Sequence, residues 1–246
     1  LGEKFSLGDF IRVRVLKTCG LGESHVDHLI HDLFESSRNP TIAVLAHPGQ
    51  VDIRLTAKGN DPEEVNIMLD ELEEKIRGRV GAALYGYGND TVEGVIDRIL
   101  TEQNKTLALL ESSTGGALAA RLSRVPGSIQ RVKGGWVAMS ADILSAVLGQ
   151  RALQEISGSR AAVLAQKVRE LAGADIGLAV LGPVSTGEEL AAPTAEATYI
   201  ALAEASGPVV ETQRKFGGEG RFLQDRTTVM ALDVLRRHLL KVKQLS

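Results

Sequence analysis

The sequence predicts an α/β protein: a three-layer α/β/α domain on a mostly parallel sheet, preceded by a small α+β unit of order β-α-β-β-α. Three observations carry this. TLALLESSTGGALAARL (Thr106–Leu122) runs from a short apolar strand (Thr106 to Leu110) through a polar elbow (Glu111 to Gly116) into an Ala/Leu helix opening at Ala117. ADIGLAVLG and ATYIALAE are apolar throughout, as strands buried on both faces are, and helical segments alternate with them. Finally, Gly86, Gly88, Asn89 and Asp90 break the pattern and mark a boundary, giving units 1–88 and 89–246.

In the first unit, FIRVRVLKTCG alternates Phe10, Arg12 and Arg14 against Ile11, Val13 and Val15, a strand with one wet face. After Gly20–Gly22, Ser24 is the expected cap of a helix to about Ser36, apolar at Val26, Leu29, Ile30, Leu33 and Phe34. Asn39 and Pro40 end it. TIAVLAHPG and QVDIRLTAKG read as two strands joined at His47, Pro48 and Gly49. Asp61-Pro62-Glu63-Glu64 opens a second helix with Val65, Ile67, Met68, Leu69, Leu72 and Ile76 on its apolar face. His25, His28 and His31 invite a metal reading. Three-residue steps drift about 60° around a helix, however, and no Cys or carboxylate completes a site, so solvated histidines are expected.

The second unit begins with a helix at Thr91–Glu93, apolar at Val95, Ile96, Ile99 and Leu100, that leads into the central strand. After the elbow helix, Pro126-Gly127-Ser128 turns the chain towards Gly134, Gly135 and a strand WVAM. Ala141 to Leu148 reads as helix, and Ser157 caps a long helix ending at Leu171. The final helix spans about Gly220 to Lys243. Ligands of open α/β sheets bind beyond the carboxyl ends of the strands, where the elbow sits. Its glycines admit close approach, and the first helical N–H groups can face an anion or oxyanion. Equally, Ser113 or Thr114 can simply cap the helix. Spacing alone leaves both readings open.

A net charge of −3 with mixed signs argues against a nucleic-acid footprint or a basic membrane patch. The single Cys19 excludes an internal disulfide framework and fits a reducing cytoplasm. No apolar run approaches the ~20 residues of a spanning helix, and no signal peptide is visible.

ESSTGG resembles the ESCTGG signature of the CinA (competence/damage-inducible) C-terminal domain, the nicotinamide mononucleotide (NMN) deamidase family. PGSIQRVKGGWVAMSADILSAVLG is similar to that family's PGSS…GGVVAYSNEAK…LG segment, GADIGLAVLG to its GADIGLAITG, and ATYIAL to its GTVYIAL. GLGES…NPTIAVLAHPGQVDIRLTA resembles the linking middle domain of full-length CinA proteins. There it follows a molybdopterin-binding-like domain associated with ADP-ribose pyrophosphatase activity. Nothing in residues 1–246 resembles that domain, and the chain starts at Leu1 rather than Met, so it is expected either to lack the domain or to be a C-terminal piece.

The resemblance implies a metal- and cofactor-free amidohydrolase that converts NMN to nicotinate mononucleotide and ammonia, and a homodimer. Ser112 falls on the family's nucleophilic serine, with Ser113 replacing its cysteine. Ser113, Thr114, Gly115, Gly116, Ser140, Gly182 and Gly218 are the implied ligand-binding positions, Gly115 and Gly116 lying near the oxyanion or phosphate. The lysine that serves the family as base falls on Leu144, which cannot accept a proton. The ring-side tyrosine falls on Met139, and the asparagine and glutamate of YSNEAK on Ala141 and Asp142. The glycine-rich phosphate-side loop falls on Pro183–Thr186, its preceding threonine on Leu181. A lysine falls on Ala192 and an arginine on Gln224, with Arg221 and Arg226 close by. Lys133, Lys215 and His238 have no positional claim as substitute bases, and Glu111 points to the other side of the strand. Two expectations follow: a degraded site that keeps the fold and nucleotide binding, or an active deamidase using Ser112.

Overall fold

The computed structural model describes residues 10–140, 143, 156–182, 197–205, 210–215 and 220–242. It divides into two compact units, Leu1–Thr91 and Val92–Ser246. In the first, β1 (Phe10–Cys19), β2 (Thr41–His47), β3 (Gln50–Gly59) and β4 (Leu84–Tyr87) form an antiparallel sheet of order β2-β3-β1-β4. β4 adds a strand to the expected β-α-β-β-α order. It is only four residues long, with two tyrosines around Gly86, too short for its period to be read. The helices are α1 (Glu23–Ser36) and α2 (Pro62–Val80). Asp61 caps α2 through its side chain, which accepts from the Glu63 N–H at 2.8 Å, with Pro62 in the first turn. Ser24 does not cap α1: that helix starts two residues earlier, with Gly22 at the cap position and no side-chain bond.

The alternation along β1 holds, but its start is wet on both faces, with Phe10 and Arg12 exposed on one and Ile11 and Val13 on the other. Arg14 reaches α2 and donates to Asp70 and Glu73 at 2.6 Å each, and Arg12 donates to Asn66. Ile11 and Val13, on the opposite face, are exposed. Ion pairing beneath a helix therefore holds Arg14 against α2, one guanidinium nitrogen serving two carboxylates. His25, His28 and His31 lie exposed on α1, and among the described residues no group of three His, Cys, Asp or Glu is placed to hold a metal.

The second unit is organised on a five-stranded sheet of order β6-β5-β7-β8-β9: β5 (Leu107–Glu111), β6 (Val132–Val137), β7 (Ile176–Leu181), β8 (Ala197–Glu204) and β9 (Val210–Lys215). β5 pairs in parallel with β6 and β7, whereas β8 is antiparallel to both β7 and β9. Four strands thus point one way and β8 alone the other. β9 was not expected from the sequence; VETQRK is polar and carries no apolar run. The described helices are α3 (Val92–Glu102), α4 (Ala117–Ser123), α5 (Gly158–Ala172) and α6 (Gly220–Leu239). The expected helix over 141–148 lies outside the described residues.

α5 packs on one face of the sheet over Ala108, Leu110, Ala179, Leu181, Ala201 and Ala203. Small side chains let it approach closely. At Gly177 a Cβ would run into the Ala165 carbonyl oxygen and come within 2.8 Å of the Arg169 Cβ, so only glycine fits there. Ser157 caps α5 as expected, accepting from the Arg160 N–H at 3.4 Å. α3 buries Val92, Val95, Ile96, Ile99 and Leu100 at helical spacing, each worth roughly 1.5–3 kcal/mol. Among the described residues, no helix is long and apolar enough to cross a membrane.

At the amino ends of the central strands, Glu204 accepts from Lys105 Nζ at 2.9 Å and lies 3.1 Å from His238 Nε2. Burial opposes its charge, but the bonds from Lys105 and His238 outweigh that and hold the carboxyl below its ordinary range. A depressed carboxylate contributes stability that is present above its unfolded pKa and lost as pH falls through the folded one. Glu204→Gln should therefore lower the melting temperature at about pH 7 and by less at about pH 3. Parallel melting curves at both pH values, offset equally, would contradict this.

Candidate active site

β5 delivers the elbow to the carboxyl end of the sheet and runs one residue further than expected, ending on Glu111. Glu111 is completely buried and faces α4. Its carboxylate accepts from Thr114 Oγ1 at 2.7 Å, the Leu118 N–H at 2.9 Å and the Ala119 N–H at 2.8 Å. The chain turns between strand and helix through Gly115 (φ 58°) and Gly116 (φ 93°), left-handed conformations that favour glycine. Neither expected reading of the helix start holds. Ser113 and Thr114 do not cap α4, whose cap position is Gly116. Nor are its first amides open to an anion, since Glu111 takes two and the Ala117 N–H bonds the Thr114 carbonyl at 3.0 Å. A carboxylate supplied by the chain occupies the place the dipole prepares for a ligand.

Ser112 lies on the other side of the strand from Glu111 and is 4% exposed. Its hydroxyl accepts from the Gly182 N–H at 3.2 Å and faces the carbonyls of Val180 at 3.3 Å and Gly182 at 3.4 Å as donor. The Ser112 N–H also bonds the Val180 carbonyl at 3.0 Å. Ser112 is thus stitched to the end of β7 by main-chain groups, and none of its partners among the described residues is ionisable.

Lys133 and His238 stay away from Ser112. Lys133 sits at the start of β6, beside the β5 end that Ser112 does not occupy. His238 is held by Glu204 at that same end. Lys215 closes β9, three strands from β5 and so about 14 Å across the sheet. Ser113 and Gly182 come together beside Ser112, while Ser140 is exposed and its Oγ accepts from the Ile143 N–H at 3.4 Å. Leu144, Pro183–Thr186, Ala192 and Gly218 lie outside the described residues. Gln224, at the arginine position, reaches the elbow from α6 and donates to the Thr114 carbonyl at 2.7 Å.

Sequence reasoning missed two contributors, Glu111 as the anchor of the elbow and Thr198 beside Gly182. An acidic residue shortly before a helix start is a readable signal for the first; Thr198 has none. Glu111→Gln replaces one acceptor oxygen by a donor facing N–H groups. It should cost about 2–3 kcal/mol in denaturant unfolding. A loss under about 0.5 kcal/mol would show the carboxylate is dispensable.

Comparison with known proteins agrees with this architecture. Residues 13–86 match the model of the damage-inducible protein CinA KH domain, and residues 89–239 that of the CinA C-terminal domain. A putative competence-damage inducible protein of Thermoanaerobacter sp. (strain X514) is 34% identical over 246 residues, 98% of this chain and 59% of that protein. One from Geobacillus kaustophilus (strain HTA426) is 41% identical over 187 residues, 74% of this chain and 45% of that protein. The chain spans 59% of the length of the Thermoanaerobacter relative and less of the second. Among solved structures, a CinA superfamily protein from Klebsiella pneumoniae 700603 aligns with a TM-score of 0.54 at 23% identity, covering 61% of this chain and 96% of that one. A competence or damage-inducible protein from Enterobacter asburiae aligns at 0.52 and 22%, covering 61% and 99%. At such identity these two likenesses concern the fold alone. The family models, together with the relatives, show that the chain belongs to the CinA family.

Proposed function

We propose that the second unit is a retired NMN deamidase-like domain, one that keeps the family's fold and a nucleotide-binding sheet end but not its hydrolysis. The observation that carries this is the environment of Ser112: a hydroxyl engaged by the Gly182 N–H and by two carbonyls. Metal-free amide hydrolysis by serine needs a neighbour that takes the hydroxyl proton as the oxygen attacks the carbonyl carbon, and returns it to the leaving ammonia. A main-chain carbonyl accepts a hydrogen bond but is far too weak a base to keep a proton. The family's lysine falls on Leu144, and the partner amide that bonds Ser112 is a donor, which lowers rather than raises its nucleophilicity.

Three changes support the same reading. The family's ring-side tyrosine falls on Met139, which is exposed, and its phosphate-side threonine on Leu181, which is buried in the apolar layer under α5. Its arginine falls on Gln224, whose amide is spent on the Thr114 carbonyl. Loss of a base from a coupled set typically costs several orders of magnitude in kcat. A soluble homodimer handling a pyridine nucleotide in the cytoplasm remains part of the proposal, supported by family resemblance.

Incubation of the purified chain with NMN, followed by ammonia release, tests the reading. The expected result is release no faster than from Ser112→Ala. Turnover that depends on Ser112 would overturn it.

A further inference from the structure

Among the described residues, β2 and β4 close the first sheet and β6 and β9 the second, and three of these edges carry features that stop another strand from joining. β4 has only four residues, and its register against β1 shifts between Lys17 and Thr18. β6 presents the exposed Lys133 beside Gly134 and Gly135, and β9 holds Glu211, Arg214 and Lys215. Short length, irregular register and charge are the means by which sheets blunt their edges. β2 has none of them. TIAVLAH contains no Asp, Glu, Lys, Arg, Pro or Gly, and it keeps one unbroken register with β3 from Thr41↔Thr56 to His47↔Gln50.

The two-residue turn Pro48-Gly49 makes His47 and Gln50 a hydrogen-bonded pair, and such pairs recur at every second residue. Thr41, Ala43, Leu45 and His47 therefore bond β3, which leaves the main-chain N–H and C=O groups of Ile42, Val44 and Ala46 pointing out of the sheet. Both faces beside them are apolar. Leu45 is 46% exposed on the face away from the helices. On the other face α1 lies over β2, and α2 over β3 and β1. Arg79 of α2 bonds the Leu29 carbonyl and Asp32, which fixes the flank of α1 that meets α2. Helical spacing turns Phe34 to the opposite flank, past the β2 edge, where it is 48% exposed.

We propose that β2 pairs antiparallel with β2 of a second copy of this chain, about a two-fold axis at Val44, so that two sheets become one. The charge pattern selects a second copy as the partner: a strand without charged side chains faces itself with no like charges opposed. This register sets Val44 against its own counterpart, Ile42 against Ala46 and Leu45 against Ala43. It forms about six main-chain hydrogen bonds and covers Phe34 and Leu45 of both copies. Contact of this extent falls below the roughly 1,200 Å² of stable complexes, so the association is reversible at roughly tens of micromolar. The inference concerns the first unit alone and is independent of whether Ser112 is catalytic.

Hydrogen exchange of the full chain, resolved to single amides at about 2 µM and about 200 µM, tests it. The amides of Ile42, Val44 and Ala46 should exchange at least about tenfold more slowly at the higher concentration, while those of Ala43 and Leu45 stay equally protected. Leu45→Lys sets two ammonium groups diagonally across the axis, and Val44→Pro removes the N–H on the axis without breaking a bond to β3. Each variant should abolish the concentration dependence and lower the sedimenting mass at about 200 µM. Melting of the dilute chain supplies the control for folding: Leu45→Lys, at an exposed position, should melt within about 2 °C of the parent. Exchange at Ile42, Val44 and Ala46 that does not respond to concentration would overturn the self-pairing and leave this edge to a strand of another protein. Slowing that persists in Leu45→Lys would overturn it too, since the contact between copies would then lie elsewhere.

Discussion

The buried carboxylate of Glu111 is the constraint on which the sheet end depends. One side chain receives three hydrogen bonds, from a hydroxyl of the elbow and two amides of α4, and so fixes the strand, the turn and the helix as one piece. A charge in that position is tolerable because it is met by aligned donors and by the positive end of the helix. An unpaired charge at the same depth would cost several kcal/mol. Because the carboxylate must face α4, the alternation of the strand turns Ser112 to the opposite side, towards β7.

That placement determines what Ser112 can do. Its hydroxyl meets the last main-chain groups of β7 and the Gly182 amide, and the resulting bonds hold two parallel strands together at their carboxyl ends. Under the proposed reading, a serine used in this way is a structural tie. The elbow still stands where open α/β sheets receive ligands.

Much of this was readable from residues. Apolar continuity marked β5 and β7, and the caps Asp61 and Ser157 declared the starts of α2 and α5 because their chemistry is local. The failures share a cause in tertiary context. Arg12 and Arg14 read as a solvent face until two carboxylates and an amide of α2 are brought over them. β4 and β9 owe their existence to the strands they pair with, and neither has an apolar period of its own. At the site, Ser112 was placed by motif, whereas the role of Glu111 depends on where α4 begins in space. Thr198 lies far along the chain from Ser113, and no sequence pattern connects the two. Their meeting at Gly182 is a product of the β7–β8 pairing.

The central claim, that the Ser112 hydroxyl is a tie rather than a nucleophile, is tested most directly by its reactivity. Exposure of the chain to an alkyl fluorophosphonate, in which an activated serine oxygen displaces fluoride from phosphorus, followed by peptide mass spectrometry, reads that hydroxyl without requiring a substrate. The account predicts that the peptide containing Ser112 stays unmodified. A stoichiometric phosphonyl adduct on Ser112 would contradict it.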